Sequence, residues 1–362
     1  MTTQVAVMNA YGLAMASDRH VFRCGEERST GLQRKLVRLR GPVPAAMMAS
    51  GPFAVFNVPI ARLALRLERC LAAAPAEIGP DGLAETLLRA LEQPLEVQDD
   101  GGADPDGELL ACTAELVVGT ALDRSGEPLA GLRTVLAEME QAPRCRGGER
   151  FEADTLEAWS ARAEALPGLV RKPEVAEALR EAPDLCGRAV LGALTRDWRP
   201  VSDLYLTIGL CCPRTGVPAL IALKLWKGIG RRLHFASRLE REWDSAWRSG
   251  RTVLVAQGSG RPVVEALVDG VSDEHWTRLG EAARGEVRPG MNERWDRAHD
   301  RISVSSPREL GAIATGLVRG AEVVGYLTRN AEGTVAEVDG LIITPAGVEE
   351  QGLAAGAALA AA

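Results

Sequence analysis

The sequence predicts an α+β protein in which two β-sheets lie between helical layers, with a mainly helical insertion over residues 109–200. Three observations lead there. The chain opens on an alternating apolar pattern rather than a helical one. Strand-like and helix-like segments come in blocks, strands then helices then strands then helices, which separates the sheets from the helices. Between 109 and 200, Ala, Glu, Arg and Leu recur at helical spacing and are interrupted by Pro143, Pro167, Pro173 and Pro183. The 362 residues exceed a typical domain of about 150 and suffice to bury a sizeable core.

Taken in order, Thr3 to Met15 alternates through Val5 and Val7, turns at Asn9 to Gly12 and alternates again, which predicts a β-hairpin. Residues 35–40 and 45–49 predict a second strand pair closed by Ser50 and Gly51. From Phe53 the spacing turns helical through Val55, Val58, Ile60, Leu63, Leu65 and Leu67, crowded enough to expect a second apolar surface for a partner subunit. Pro80 opens a second helix after Gly79. The acidic run from Asp99 to Gly107 lacks the glutamate that closes a calcium loop and reads as a solvated turn. Leu116 to Leu129 allows a hairpin within the helical block. Strands return over residues 203–210 and 219–223 around a turn at Pro213 to Gly216. A strand over residues 251–256 then runs into Gly258-Ser259-Gly260, followed by helical stretches from Pro262 to Val271 and Trp276 to Ala283. Ser306, Pro307 and Glu309 mark a helix start, the helix running to about Tyr326. Val335 to Thr344 is read as the last strand, before a frayed alanine-rich tail from Gly352. The organisation is thus 1–108 and 201–350 as two halves of one domain, 109–200 inserted and 351–362 a tail.

Composition removes several functions. Forty-two Lys and Arg against 49 Asp and Glu give a net charge of −7, which leaves no excess of cations to neutralise a phosphate backbone, so no nucleic-acid partner is expected. No window holds about 18 uninterrupted apolar residues and the start lacks an export signal, so no membrane is expected and the location is cytoplasmic. Seven cysteines without a CxxC pair and four scattered histidines predict neither a disulfide framework nor a metal site, and no cofactor is expected. Only Lys35, Lys172, Lys224 and Lys227 are lysines in an arginine-rich chain.

Several motifs then fall in one order: Met1-Thr2-Thr3-Gln4-Val5-Ala6-Val7, Gly12 to Asp18 reading GLAMASD, Lys35-Leu36, and Ala49-Ser50-Gly51. Together they resemble the proteasome β-subunit type of N-terminal-nucleophile (Ntn) hydrolase, and within it the bacterial HslV- and Anbu-like members. The likeness continues through residues 209–220, Val255 to Gly260, Ser306 to Tyr326 and Asp339 to Val348. It implies a four-layer αββα sandwich and a threonine peptidase or amidohydrolase working through a Thr2 acyl-enzyme once Met1 is removed. The threonine Oγ attacks a carbonyl while the α-amine on the same residue takes the proton. The resemblance also assigns Asp18 and Lys35, 16 and 33 residues after Thr2, to the support of that amine and oxygen. Gly51 or Ser50 supplies the oxyanion donor, Ser259 the proton relay, and His20, Gly31 and Met48 mark the neighbourhood of the substrate pocket.

Asn330 stands where the family carries an aspartate, so it offers a hydrogen bond there without a charge. The resemblance also implies a homo-oligomer around an enclosed chamber, acting on a peptide or amide substrate, with an ATPase or other regulatory partner left open. Two other readings stand beside it. One is a stand-alone amidase or acyltransferase on the same nucleophile, and the other is an assembly subunit that has lost turnover.

Overall fold

The computed structural model describes residues 3–21, 31–32, 34–51, 54–55, 58–75, 78–96, 104–198, 204–237, 252–258, 260–269, 296–329 and 338–351. The N-terminal hairpin is β1 (Gln4–Asn9) and β2 (Gly12–Asp18), in a register that sets Asn9 opposite Gly12. A two-residue ribbon follows, β3 (His20–Val21) with β4 (Gly31–Leu32). The second predicted pair is β5 (Leu36–Leu39) and β6 (Ala45–Ser50).

The helix expected from Phe53 begins only at α1 (Ile60–Ala73), behind a small ribbon of β7 (Ala54–Val55) and β8 (Val58–Pro59). Pro59 is the reason. Its ring keeps the preceding residue out of the helical region, and Pro59 itself sits at φ −58°, ψ 143°. Within α1, Leu63, Leu67 and Leu71 bury one stripe at a four-residue spacing, and Leu65 is 47% exposed.

Next come α2 (Pro80–Glu92), α3 (Pro105–Ser125), α4 (Pro128–Gln141), α5 (Gly148–Ser160), α6 (Leu166–Leu169), α7 (Pro173–Glu181) and α8 (Pro183–Thr195). Most start on a proline, whose missing N–H costs nothing in the first turn. The acidic run is therefore helical from Pro105 on, and the hairpin allowed at Leu116 to Leu129 is absent. Leu110, Ala114, Val117 and Ala121 hold helical spacing through that stretch, and Gly126 at φ +71° ends the helix by donating to Leu122 C=O at 2.8 Å. The helices from α3 to α8 share a core built around Leu110, Val117, Leu132, Val135 and Val190.

The chain then forms β9 (Leu204–Cys211), β10 (Pro218–Gly228), β11 (Arg232–Ser237) and β12 (Val253–Gln257). It continues with α9 (Arg261–Asp269), α10 (296–304) and α11 (Pro307–Arg329). The expected helix start at Ser306 is a reciprocal cap: Ser306 N–H donates to Glu309 Oε2 at 2.8 Å and Glu309 N–H to Ser306 Oγ at 3.3 Å. The strand β13 (Val338–Thr344) is not the last. It pairs with β14 (Gly347–Gln351), whose exposed Glu349 and Glu350 suit an edge. The helix read at Trp276 to Ala283 and the tail from Gly352 lie outside the described residues.

The strands form two five-stranded antiparallel sheets, β12-β1-β2-β13-β14 and β11-β10-β9-β6-β5. Alternation along each strand sorts the apolar side chains. Val5, Val7, Ala14 and Ala16 turn to Val264, Leu310, Ala314 and Val318 of α9 and α11. On the opposite face, Ala6, Met8, Leu13 and Met15 meet Ala46, Met48 and Leu220 of the other sheet. The sheets approach closely, since a Cβ on Gly209 would lie 2.6 Å from Leu13 Cδ1. Leu206, Ile208 and Leu223 then turn away toward Leu67, Leu71, Leu87 and Leu91 of α1 and α2. The helical block is fastened to β10 by polar bonds. Trp226 Nε1–H donates to Leu194 C=O at 2.7 Å, and Lys224 Nζ pairs with Asp197 at 2.6 Å.

Candidate active site

The hairpin register puts the first described residue, Thr3, beside the end of β2. Asp18 N–H donates to Thr3 C=O at 3.1 Å, and Thr3 N–H donates to Asp18 Oδ2 at 3.0 Å. The other carboxylate oxygen, Oδ1, accepts from the Lys35 ammonium, which reaches across from the start of β5. Thr3 and Asp18 are fully buried and the Lys35 side chain is 4% exposed. A buried carboxylate is tolerable only when paired and hydrogen-bonded, and Asp18 is both.

Lys35 is itself fixed through its backbone, because Ala49 N–H donates to Lys35 C=O at 3.2 Å. That bond ties it to the last residues of β6. Ser50 is buried and paired in register with Tyr205 of β9, and Gly51 follows at φ +129°, a conformation that favours glycine. On the other side Gly258 turns the chain at φ +82° after β12, and Gly260 lies hard against Thr3. A Cβ on Gly260 would fall 2.0 Å from Thr3 Oγ1.

Asp18 and Lys35, from strand ends in the two sheets, are thus joined to Thr3, while Ser50 and Gly51 follow Ala49, which is bonded to Lys35. Thr2, Ser259 and Asn330 lie outside the described residues. Met48 is fully buried between the sheets, and a cleft of about 430 Å³ is lined by Arg19, Arg34, Leu36, Asp339 and Leu341 among others. Arg19 and Asp339 pair at 2.5 Å in its wall.

Sequence reasoning passed over Gln4. Its buried side chain donates from Nε2 to Ala49 C=O at 2.7 Å and to Ser17 Oγ at 3.3 Å, joining the two sheets. The available signal was an amide at an inward position of an otherwise apolar alternating strand.

Other nucleophiles fare worse. Burial pushes the Cys145 and Cys211 thiols up to about 12, Cys211 with a smaller push from neighbouring Cys212, so neither forms thiolate near neutrality. His234 is a core residue, stacked on Phe151 at 3.8 Å with Nδ1 bonded to Leu194 C=O at 2.7 Å. Among the described residues no three His, Cys, Asp or Glu side chains gather to hold a metal, and no helix is long and apolar enough to cross a membrane.

No family model matches the chain, and no curated protein matches it. Among solved structures it is similar to Anbu, the ancestral β-subunit, from Yersinia bercovieri, at 11% identity over 96% of this chain and 86% of that one, with a TM-score of 0.33. At that level the similarity says nothing of this site's chemistry, which stands on the residues themselves.

Proposed function

We propose that the chain is a proteasome-like N-terminal threonine hydrolase that cleaves peptide or amide bonds through an ester on Thr2. The supporting observation is the buried Thr3–Asp18–Lys35 network at the chain start, beside the left-handed Gly51. Nothing in the packing of a hairpin requires a lysine and an aspartate with almost no exposure there, whereas an N-terminal nucleophile does. The three apolar clusters support the four-layer αββα sandwich as the frame, with 109–200 as its insertion.

In this reading Met1 is removed and Thr2 Oγ attacks the substrate carbonyl carbon while the Thr2 α-amine accepts the hydroxyl proton. The nearby ammonium of Lys35 keeps that amine neutral and favours the developing negative charge on oxygen. Gly51 N–H, or Ser50, donates to the carbonyl oxygen as it becomes an oxyanion. The proton passes to the leaving amine, Ser259 relaying it and Asn330 bonding nearby, and water then cleaves the Thr2 ester to release the acid. The site belongs to a cytoplasmic homo-oligomer.

Mass spectrometry of the native N-terminus tests the first requirement, because retained Met1 leaves no free threonine amine. Thr2→Ala abolishes amide hydrolysis and labelling by a β-lactone probe. Turnover that survives Thr2→Ala and disappears in Thr3→Ala would overturn the assignment.

A further inference from the structure

Four polar links form a closed circuit at the chain start. Thr3 N–H binds Asp18, Asp18 binds the Lys35 ammonium, Lys35 C=O accepts from Ala49 N–H, and Ala49 C=O accepts from Gln4, the residue after Thr3. We infer that Gln4 is a positioning residue that sets the Ser50–Gly51 turn relative to the nucleophile, an inference that rests on the reading of Thr2 given above.

The geometry supports this in three ways. Ala49 turns its N–H and C=O toward the β5 edge, where β5 supplies Lys35 C=O for the N–H. The carbonyl is met instead by an amide from the other sheet, at 2.7 Å. Gly51, two residues on and the proposed oxyanion donor, therefore leaves a backbone held directly by Gln4, the first residue of β1. Second, strand length allows little slack, since Gln4 lies only two residues from the nucleophile. Third, the fold by itself gains little from an amide here. Gln4 Oε1 is buried with no partner, a cost that an apolar side chain of the same length avoids. Ala6 and Met8, the next inward residues of β1, are apolar.

Gln4→Met tests the inference because it keeps length and volume, removes the donor and also removes the orphaned acceptor. The expected thermal midpoint stays within about 2 °C of wild type. The turn loosens, so exchange of the Ser50 and Gly51 amide hydrogens, read by mass spectrometry, accelerates about tenfold. Turnover of a peptide amide falls about tenfold in kcat with KM within twofold, as misaligned oxyanion donors predict. Ser17→Ala removes the 3.3 Å contact to Gln4 and the donation from Ser17 Oγ to Asp18 C=O at 3.0 Å but leaves the Gln4–Ala49 bond, and it keeps kcat within about twofold. Unchanged exchange in Gln4→Met, or wild-type kcat with accelerated exchange, overturns the inference. If Gln4→Met fails to fold, Gln4→Leu with the same exchange measurement decides. If wild type itself shows neither turnover nor Thr2 labelling, the hydrolase reading fails, and the exchange result alone decides whether Gln4 holds the turn.

Discussion

Replacing Lys35 by methionine keeps an unbranched side chain, one atom shorter, and removes its charge, leaving Asp18 fully buried with its bond from Thr3 N–H. Breaking a buried ion pair from one side costs about 3–5 kcal/mol, because the desolvated charge that stays behind has lost its compensation. An unfolding entropy of about 2.1 cal/mol/K per residue over 362 residues is about 0.8 kcal/mol/K, so the expected fall in midpoint is about 4–6 °C. Differential scanning calorimetry at neutral pH measures it.

The companion variant Asp18→Asn/Lys35→Met removes both charges and recovers most of the lost stability, since a neutral pair of similar shape carries no desolvation penalty. Activity does not recover with it. The proposed mechanism needs the ammonium beside the amine and the oxyanion, so both variants lose amide hydrolysis, and Lys35→Arg fails as well because a planar fork does not replace a compact ammonium. Lys172→Ala, at the exposed start of α7, stays active. A midpoint within 1 °C of wild type for Lys35→Met would refute the buried pair. Turnover in the double variant would refute its catalytic use.

Three further outcomes are expected. Gly51→Ala forces an L side chain to φ +129° and lowers kcat by at least about tenfold, with stability reduced by about 1 kcal/mol or more, read by steady-state kinetics and thermal melting. Cys112 is exposed and reacts with iodoacetamide in the native protein at pH 8, while Cys145, Cys186 and Cys211, raised by burial to about 12, 11 and 12, stay unlabelled until the chain unfolds, as peptide mass spectrometry would report. The hydrogen bond from Arg162 holds the Asp104 carboxyl below its ordinary value. Its stabilisation is therefore complete above the unfolded value of 3.8 and lost as pH falls through the lower folded one, so the midpoint difference between wild type and Asp104→Asn shrinks in acid.

How much of this was legible in the sequence depends on the range of the interaction. The hairpin at Asn9 to Gly12, the strand pair at 36–50 and the cap at Ser306 and Glu309 rest on neighbours in the chain, and the structure contains all three. The elements that differ are those where a local signal competed with another. Pro59 delayed α1 although the apolar spacing had already turned helical, and the stretch that allowed a hairpin at Leu116 to Leu129, with its β-branched Val117 and Val118, is helical in α3. Besides the two-residue ribbons, two strands of the five-stranded sheets were passed over for related reasons. The alternation in β11 is interrupted by a buried histidine, His234, and β14 reads as an acidic turn because its outward residues are Glu349 and Glu350.

The site divides along the same line. Asp18 and Lys35 were nominated by resemblance to a motif order, and their proximity follows from strand ends that the sequence places correctly. The link through Gln4 was not legible, because it depends on which residues of two different sheets face each other. Alternation says that Gln4 points inward, and it says nothing of the carbonyl waiting there. That distinction bears on mechanism. Each sheet alone supplies half of what the proposed nucleophile would use: one carries Thr3 and Asp18, the other carries Lys35 and the Ser50–Gly51 turn. The inter-sheet core of Met8, Leu13, Met15 and Met48 is apolar and adaptable, so it fixes the spacing of the sheets more firmly than their sliding. Directional bonds at the chain start resist that sliding, and the Asp18–Lys35 and Gln4–Ala49 links are the two that cross the gap within the circuit. A site assembled from two sheets thus needs polar contacts beside the reacting atoms even where an all-apolar interface would fold as well.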